Sequence, residues 1–151
     1  MPRWNHDRYT VDTDAKRLDR RLVRDFLAES YWAQGIPQET VDRACDGSLC
    51  FGVYDGPEQV GFARVITDRA TFAYLADVFI VESRRGRGLS KWLMRCVLEH
   101  RDLQGLKRWM LATRDAHGLY EPFGFQALGD PAKFMEIARP EVYVERVSKS
   151  D

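Results

Sequence analysis

The chain has 151 residues, 44% of them hydrophobic, enough for one domain (1–151) with a sizeable core and too few for two ordinary ones. Its 23 basic residues balance its 23 acidic ones, so no net field draws it to nucleic acid or to an anionic membrane. Three cysteines, Cys45, Cys50 and Cys96, show neither CxxC spacing nor a Cys/His cluster, which argues against a disulfide framework and a zinc site and for buried thiols; no metal is expected. The opening Met-Pro-Arg-Trp-Asn-His is polar and no apolar run approaches the roughly 18 residues of a spanning helix, so the expectation is a cytoplasmic protein.

Arg8 to Asp12 reads as a short extended start. Thr13 or Asp14 then offers an N-cap for a helix that carries Leu18, Leu22 and Phe26 on one face, with Val23 and Leu27 beside it, and runs to about Trp32. Gly35-Ile36-Pro37 breaks it, and Pro37 to Cys45 reads as a second helix, ended by Asp46-Gly47. Leu49 to Tyr54 and Gln59 to Thr67 are β-type segments joined at Asp55-Gly56-Pro57-Glu58, and Thr71 to Val81 is a third, which together predict an antiparallel meander. From Gly88 the period turns helical, with Leu89, Leu93, Cys96, Val97 and His100 on one stripe. Lys107 to Thr113 is then a strand, Asp115 to Glu121 a short helix stopped by Pro122, and Gly124 to Leu128 and Val142 to Val147 are two last strands. The fold class is α/β (α+β): a mixed, mostly antiparallel central sheet with helices on both faces.

The stretch from Asp77 to Met94 runs strand, glycine-rich turn, helix, and that order makes an anion site. Glycines let the backbone approach a ligand, the free N–H groups of the helix start point at it, and Arg84, Arg85 and Arg87 add positive charge. No Gly-Lys-Ser/Thr follows at P-loop spacing and no third glycine completes a dinucleotide fingerprint.

Arg85, Gly86, Gly88 and Ser90, after a strand and before a helix, resemble the Arg/Gln-x-x-Gly-x-Gly/Ala signature of the GNAT superfamily of N-acetyltransferases. Ser90 stands in place of the usual Gly or Ala, and Glu82 where relatives often carry proline. The segment Leu111 to Phe125, with Leu119-Tyr120-Glu121 before Phe123-Gly124-Phe125, is similar to the superfamily's second recognisable segment. The resemblance, which extends from about Leu49 to Leu128, implies acetyl-CoA as co-substrate. It implies that Arg85, Gly86, Arg87, Gly88, Leu89 and Ser90 cradle the pyrophosphate, and that the backbone of Phe79, Ile80 and Val81 pairs with the pantetheine arm.

By the same resemblance Tyr120 is the acid that protonates the departing thiolate, a role compatible with a tyrosine pKa of about 10 against a thiol near 8.5. A backbone N–H near Phe79 or Ile80 would face the developing oxyanion. Packing at the end of the short helix is the plainer alternative for Tyr120. A protonated amine needs a base, and Asp77, a carboxylate within the apolar run Tyr74 to Ile80, is the candidate; a carboxylate satisfied by a neighbouring turn or arginine is the alternative. Glu29 and Glu82 are lesser candidates, and His117 reads as a surface or capping histidine. In this family the N-terminal helices wall the acceptor site, which implies Tyr31 and Trp32 as acceptor-binding residues, unless they close the core at a helix end. The reading is acetyl transfer to a primary amine, small molecule or protein, by direct attack in a monomer or homodimer. Its rivals are a silent acyl-CoA-binding sensor, against which Tyr120 counts, and a nucleotide- or RNA-binding module, against which the neutral charge counts.

Overall fold

A computed structural model gives the structure of the protein over residues 1–144. The strands are β1 (Arg3–His6), β2 (Tyr9–Asp12), β3 (Leu49–Asp55), β4 (Glu58–Thr67), β5 (Phe72–Ile80) and β6 (Arg108–Leu111). They form one sheet in the order β1-β2-β3-β4-β5-β6, antiparallel throughout except for the parallel pair β5–β6. The meander read from Leu49 to Val81 is β3–β4–β5, with each boundary within a residue or so of its expected place.

Helices α1 (Arg20–Ala28), α2 (Gln38–Asp46), α3 (Leu89–Glu99) and the short α4 (His117–Tyr120) accompany the sheet. Period-2 alternation sends successive strand side chains to opposite faces. Phe51, Val53, Ala63 and Val65 meet Leu93, Met94 and Val97 of α3 on one face. Cys50, Phe62 and Phe79 meet Val23 and Leu27 of α1 and Val41 and Cys45 of α2 on the other. Each such fully buried Val or Leu contributes about 1.5–3 kcal/mol, so the two layers clamp the sheet between them. The expected stripe Leu89, Leu93, Cys96, Val97 and His100 is buried at all five positions.

The structure corrects several boundaries. Asp14 caps a 3-10 turn, Ala15–Arg17, and Asp19 caps α1 by accepting the Leu22 N–H at 3.0 Å, so two acids divide the work expected of one. The first helix stops at Ala28 rather than near Trp32 because the Ser30 hydroxyl donates to Leu27 O (2.6 Å) and accepts from the Ala33 N–H (3.1 Å), supplying partners outside the helix ladder. The extended start at Arg8 is the second arm of a hairpin whose first arm, β1, the sequence reading did not include. Gly124 to Leu128 forms no strand. Of the strand expected at Val142 to Val147, residues 142–144 are a helical turn and 145–147 lie outside the described residues.

Candidate active site

The β4–β5 register sets Phe62 opposite Phe79 but Arg64 opposite Ala76, so β5 carries an extra residue there: a β-bulge at Asp77. Asp77 takes the left-handed conformation (φ 56°), one that aspartate tolerates better than most residues. The parallel pairing of β5 with β6 ends at Leu75 and Leu111, just before this bulge. Beyond it the two strands border a cleft of about 690 Å³, whose lining includes Tyr31, Trp32, Arg64, Asp77, Arg114 and Tyr120. The four residues expected for catalysis and acceptor binding, Tyr120, Asp77, Tyr31 and Trp32, thus come together, although up to 89 positions separate them.

Both oxygens of Asp77 accept hydrogen bonds: Oδ1 from the Trp32 indole N–H (2.9 Å) and Oδ2 from Arg64 Nε (2.8 Å). Arg64 also donates to the Ser48 hydroxyl at 3.2 Å. This is the arginine-satisfied carboxylate named above as the alternative to a base, and it leaves further lone pairs on each oxygen. Tyr31 stands edge-on to Trp32, its hydroxyl accepts the Arg114 backbone N–H (3.1 Å), and the Arg114 guanidinium lies 3.8 Å from its ring centroid. The aromatic pair therefore ties the segment after α1 to β5 through Trp32 and to the β6–α4 loop through Tyr31.

Tyr120 is buried and edge-on to Phe125. Burial, and secondly the neighbouring Tyr31, hold its hydroxyl pKa above the ordinary value of 10. His117, Glu29 and Glu82 are exposed and outside the cleft lining.

The glycine loop follows the C-terminal end of β5, a few residues beyond the bulge. Gly86 and Gly88 adopt φ of 78° and 75° with open space where a side chain would point, so conformation, not crowding, calls for glycine. The first hydrogen bond of α3 runs from the Trp92 N–H to Gly88 O (3.1 Å), which leaves the N–H groups of Leu89, Ser90 and Lys91 ahead of the helix ladder. Arg85 and Arg87 are exposed, and Arg85 Nε donates to Ile80 O at 3.0 Å. Arg84 is a correction: its guanidinium turns away from the loop to Asp55 (2.6 Å) and Glu58 (3.3 Å).

Phe79 is buried between Phe26, stacked on it at 3.9 Å, and Phe62, so only its backbone is open to a ligand. The Val81 N–H is bonded to Val60 O (2.8 Å), whereas the Ile80 carbonyl taken by Arg85 faces the opposite edge, the one that β6 leaves unpaired. Cys96 is buried on α3, with its thiol pushed up to about 12 chiefly by burial, which leaves no nucleophilic thiolate. Among the described residues no cluster of metal-ligating side chains is present.

The sequence reading did not include Arg64, Tyr74 or Arg114 in the site. A signal for Arg64 was available: it is a lone charge in the apolar run Gly61 to Val65, as Asp77 is in the adjoining strand, and opposite charges isolated in neighbouring strands pair readily.

Residues 46–127 match the family model of the acetyltransferase (GNAT) domain. A protein of Gibberella zeae, described as an acetyltransferase, is 34% identical over 78% of this chain and 78% of its own length. A solved structure from Xanthomonas campestris pv. campestris, described as an acetyltransferase of the GNAT family, is 49% identical, covering 92% of this chain and 99% of that one with a TM-score of 0.89. A Clostridium acetobutylicum acetyltransferase, solved with acetyl-CoA, shares the fold at 14% identity and a TM-score of 0.61, covering 86% of this chain and 94% of that one. On the family match and these relatives, the chain belongs to the GNAT acetyltransferases and is an acyltransferase.

Proposed function

We propose that the chain, acting in the cytoplasm as one domain, transfers an acetyl group from acetyl-CoA to a primary amine by direct attack. One observation carries this: the Tyr120 side chain and the Asp77 carboxylate line the same cleft, opened where β6 leaves β5, and the C-terminal end of β5 leads on into the glycine loop.

The residues fit the co-substrate. The left-handed glycines and the N–H groups of Leu89 and Ser90 suit a pyrophosphate, with Arg85 and Arg87 supplying charge. The unpaired β5 edge at Ile80 suits an extended, amide-bearing arm, as a strand edge accepts another strand. When bound, acetyl-CoA supplies an acetyl group activated as a thioester. Tyr31 and Trp32 form the acceptor wall, and Asp77, fixed by Trp32 and Arg64, receives the ammonium on its remaining lone pairs and takes up its proton. The raised pKa keeps Tyr120 protonated at neutral pH, the form that gives a proton to the departing sulfur.

The silent-sensor reading is disfavoured because Tyr120, the candidate proton donor, is present and lines the cleft. The test is the shift in thermal midpoint with acetyl-CoA and CoA against ATP and NAD, followed by thiol release over a panel of amines. A rise confined to the two CoA forms, with thiol release, supports the reading; no rise with either form overturns it.

A further inference from the structure

Among the described residues two arginines line the cleft, and they are used differently. Arg64 is spent on Asp77 and Ser48. Arg114 is exposed and held by a single ring: its guanidinium lies over Tyr31, and its backbone N–H donates to the hydroxyl of that tyrosine. Among the described residues no carboxylate is within ion-pairing distance of it, whereas Arg8, Arg17, Arg20, Arg69 and Arg84 each meet one. Asp115 lines the same wall but stays outside that distance, so the fork is not neutralised locally. A guanidinium stacked on an aromatic face is fixed in orientation while its edge N–H groups stay open to an oxyanion.

The cleft is therefore bipolar. Its buried end holds the Asp77 carboxylate and Tyr120, its exposed rim holds the unspent Arg114 fork, and Tyr31, Trp32 and Tyr74 lie among the lining. We propose that Arg114 is an oxyanion subsite and that the acceptor is an amine bearing a carboxylate or a phosphate, its nitrogen at Asp77 and its oxyanion on the Arg114 fork. This rests on the acetyl-transfer reading above.

The experiment uses the full chain with acetyl-CoA at fixed concentration and acceptors in matched pairs: amino acids against their amides, and aminoalkyl phosphates against the corresponding amino alcohols. Thiol release gives kcat/KM, and the thermal midpoint shift with each acceptor alone gives binding without turnover. The anionic member of at least one pair is expected to be favoured by about 10- to 100-fold, the worth of a charged hydrogen-bonded contact. Whichever pair responds identifies carboxylate or phosphate. Arg114→Ala should collapse the ratio within that pair, mainly through KM, and remove the midpoint shift, while Arg114→Lys should restore part of both. Equal kcat/KM within every pair, or a loss in Arg114→Ala that is the same for both members, overturns the subsite and leaves Arg114 only a support for Tyr31. Thiol release from no acceptor overturns the acetyl-transfer reading and the subsite with it.

Discussion

Trp32 and Asp77 are joined across the cleft, the indole N–H donating to Oδ1 at 2.9 Å while Arg64 Nε holds Oδ2 at 2.8 Å. The contact fastens the irregular segment after α1 to the β5 bulge, and it fixes a carboxylate in a left-handed backbone position. Binding-site shape and local stability thus depend on the same two hydrogen bonds.

Asp77→Asn should cost about 1.5–3 kcal/mol, because it removes the charged partner of a largely buried guanidinium while asparagine still tolerates the left-handed conformation. Trp32→Phe, which removes one donor at an exposed residue, should cost about 0.5–1.5 kcal/mol. Adding Arg64→Met to Asp77→Asn should recover part of the loss, since removing both partners costs less than stranding one. Urea unfolding of the three variants checks this, and an Asp77→Asn protein as stable as the parent would refute it.

Two glycines near the C-terminal end of β5 are required for opposite reasons. At Gly88 a side chain meets open space but the wrong conformation, so Gly88→Ala should cost about 1–2 kcal/mol and Gly88→Asn less. At Gly61 a Cβ would come within 2.7 Å of Ile80 Cδ1 and 3.0 Å of Phe79 O, so Gly61→Ala should cost about 1–3 kcal/mol through overpacking and displace β5 at Phe79 and Ile80. Unfolding midpoints check both costs, and CoA titration should show weaker binding in both, through the loop assigned to the pyrophosphate for Gly88 and through the β5 edge at Ile80 for Gly61.

What was legible in the sequence follows from locality. The α3 stripe ending in Val97 and His100 shows in the spacing because one helix face buries it, and the β3–β4 hairpin shows because Asp55-Gly56 marks its turn. β1 was not legible: Arg-Trp-Asn-His is a largely exposed edge strand without alternation, and its turn uses Asp7 at φ 53° rather than a glycine. Gly124 to Leu128 has strand-like composition, yet Phe125 is drawn edge-on to Trp109 and Tyr120 and the segment pairs with no strand. Tyr120, Asp77, Tyr31 and Trp32 were named largely through family resemblance. Their wiring was out of reach, since Trp32–Asp77 spans 45 positions and Tyr31–Arg114 spans 83, distances at which no local pattern carries information.

His100 makes stability pH-dependent. It is buried at the end of α3, its Nδ1 accepts the Asp102 N–H at 3.0 Å, and burial lowers its pKa below the ordinary 6.5. The unfolded chain therefore binds the proton more readily than the folded one. This contribution is fully present above about pH 6.5 and is lost as pH falls through the unfolded and then the folded pKa. Urea midpoints measured between about pH 7.5 and 5 should fall in the parent and fall less in His100→Phe; parallel slopes would exclude His100 as the source.

Tyr120→Phe separates chemistry from binding. Phenylalanine keeps the ring packed against Phe125 and removes only the hydroxyl, so acetyl-CoA affinity should stay nearly intact while kcat falls about 10²- to 10⁴-fold, the usual worth of a positioned acid. The pH profile adds a check that a packing role would not produce. With the pKa of Tyr120 raised by burial and by Tyr31, the descending limb of kcat should lie above pH 10. Tyr31→Phe removes the smaller of those two causes and should move that limb downward. Unchanged turnover in Tyr120→Phe would remove Tyr120 as the acid. A fall in kcat accompanied by an equal loss of acetyl-CoA affinity would return it to a packing role at the end of α4.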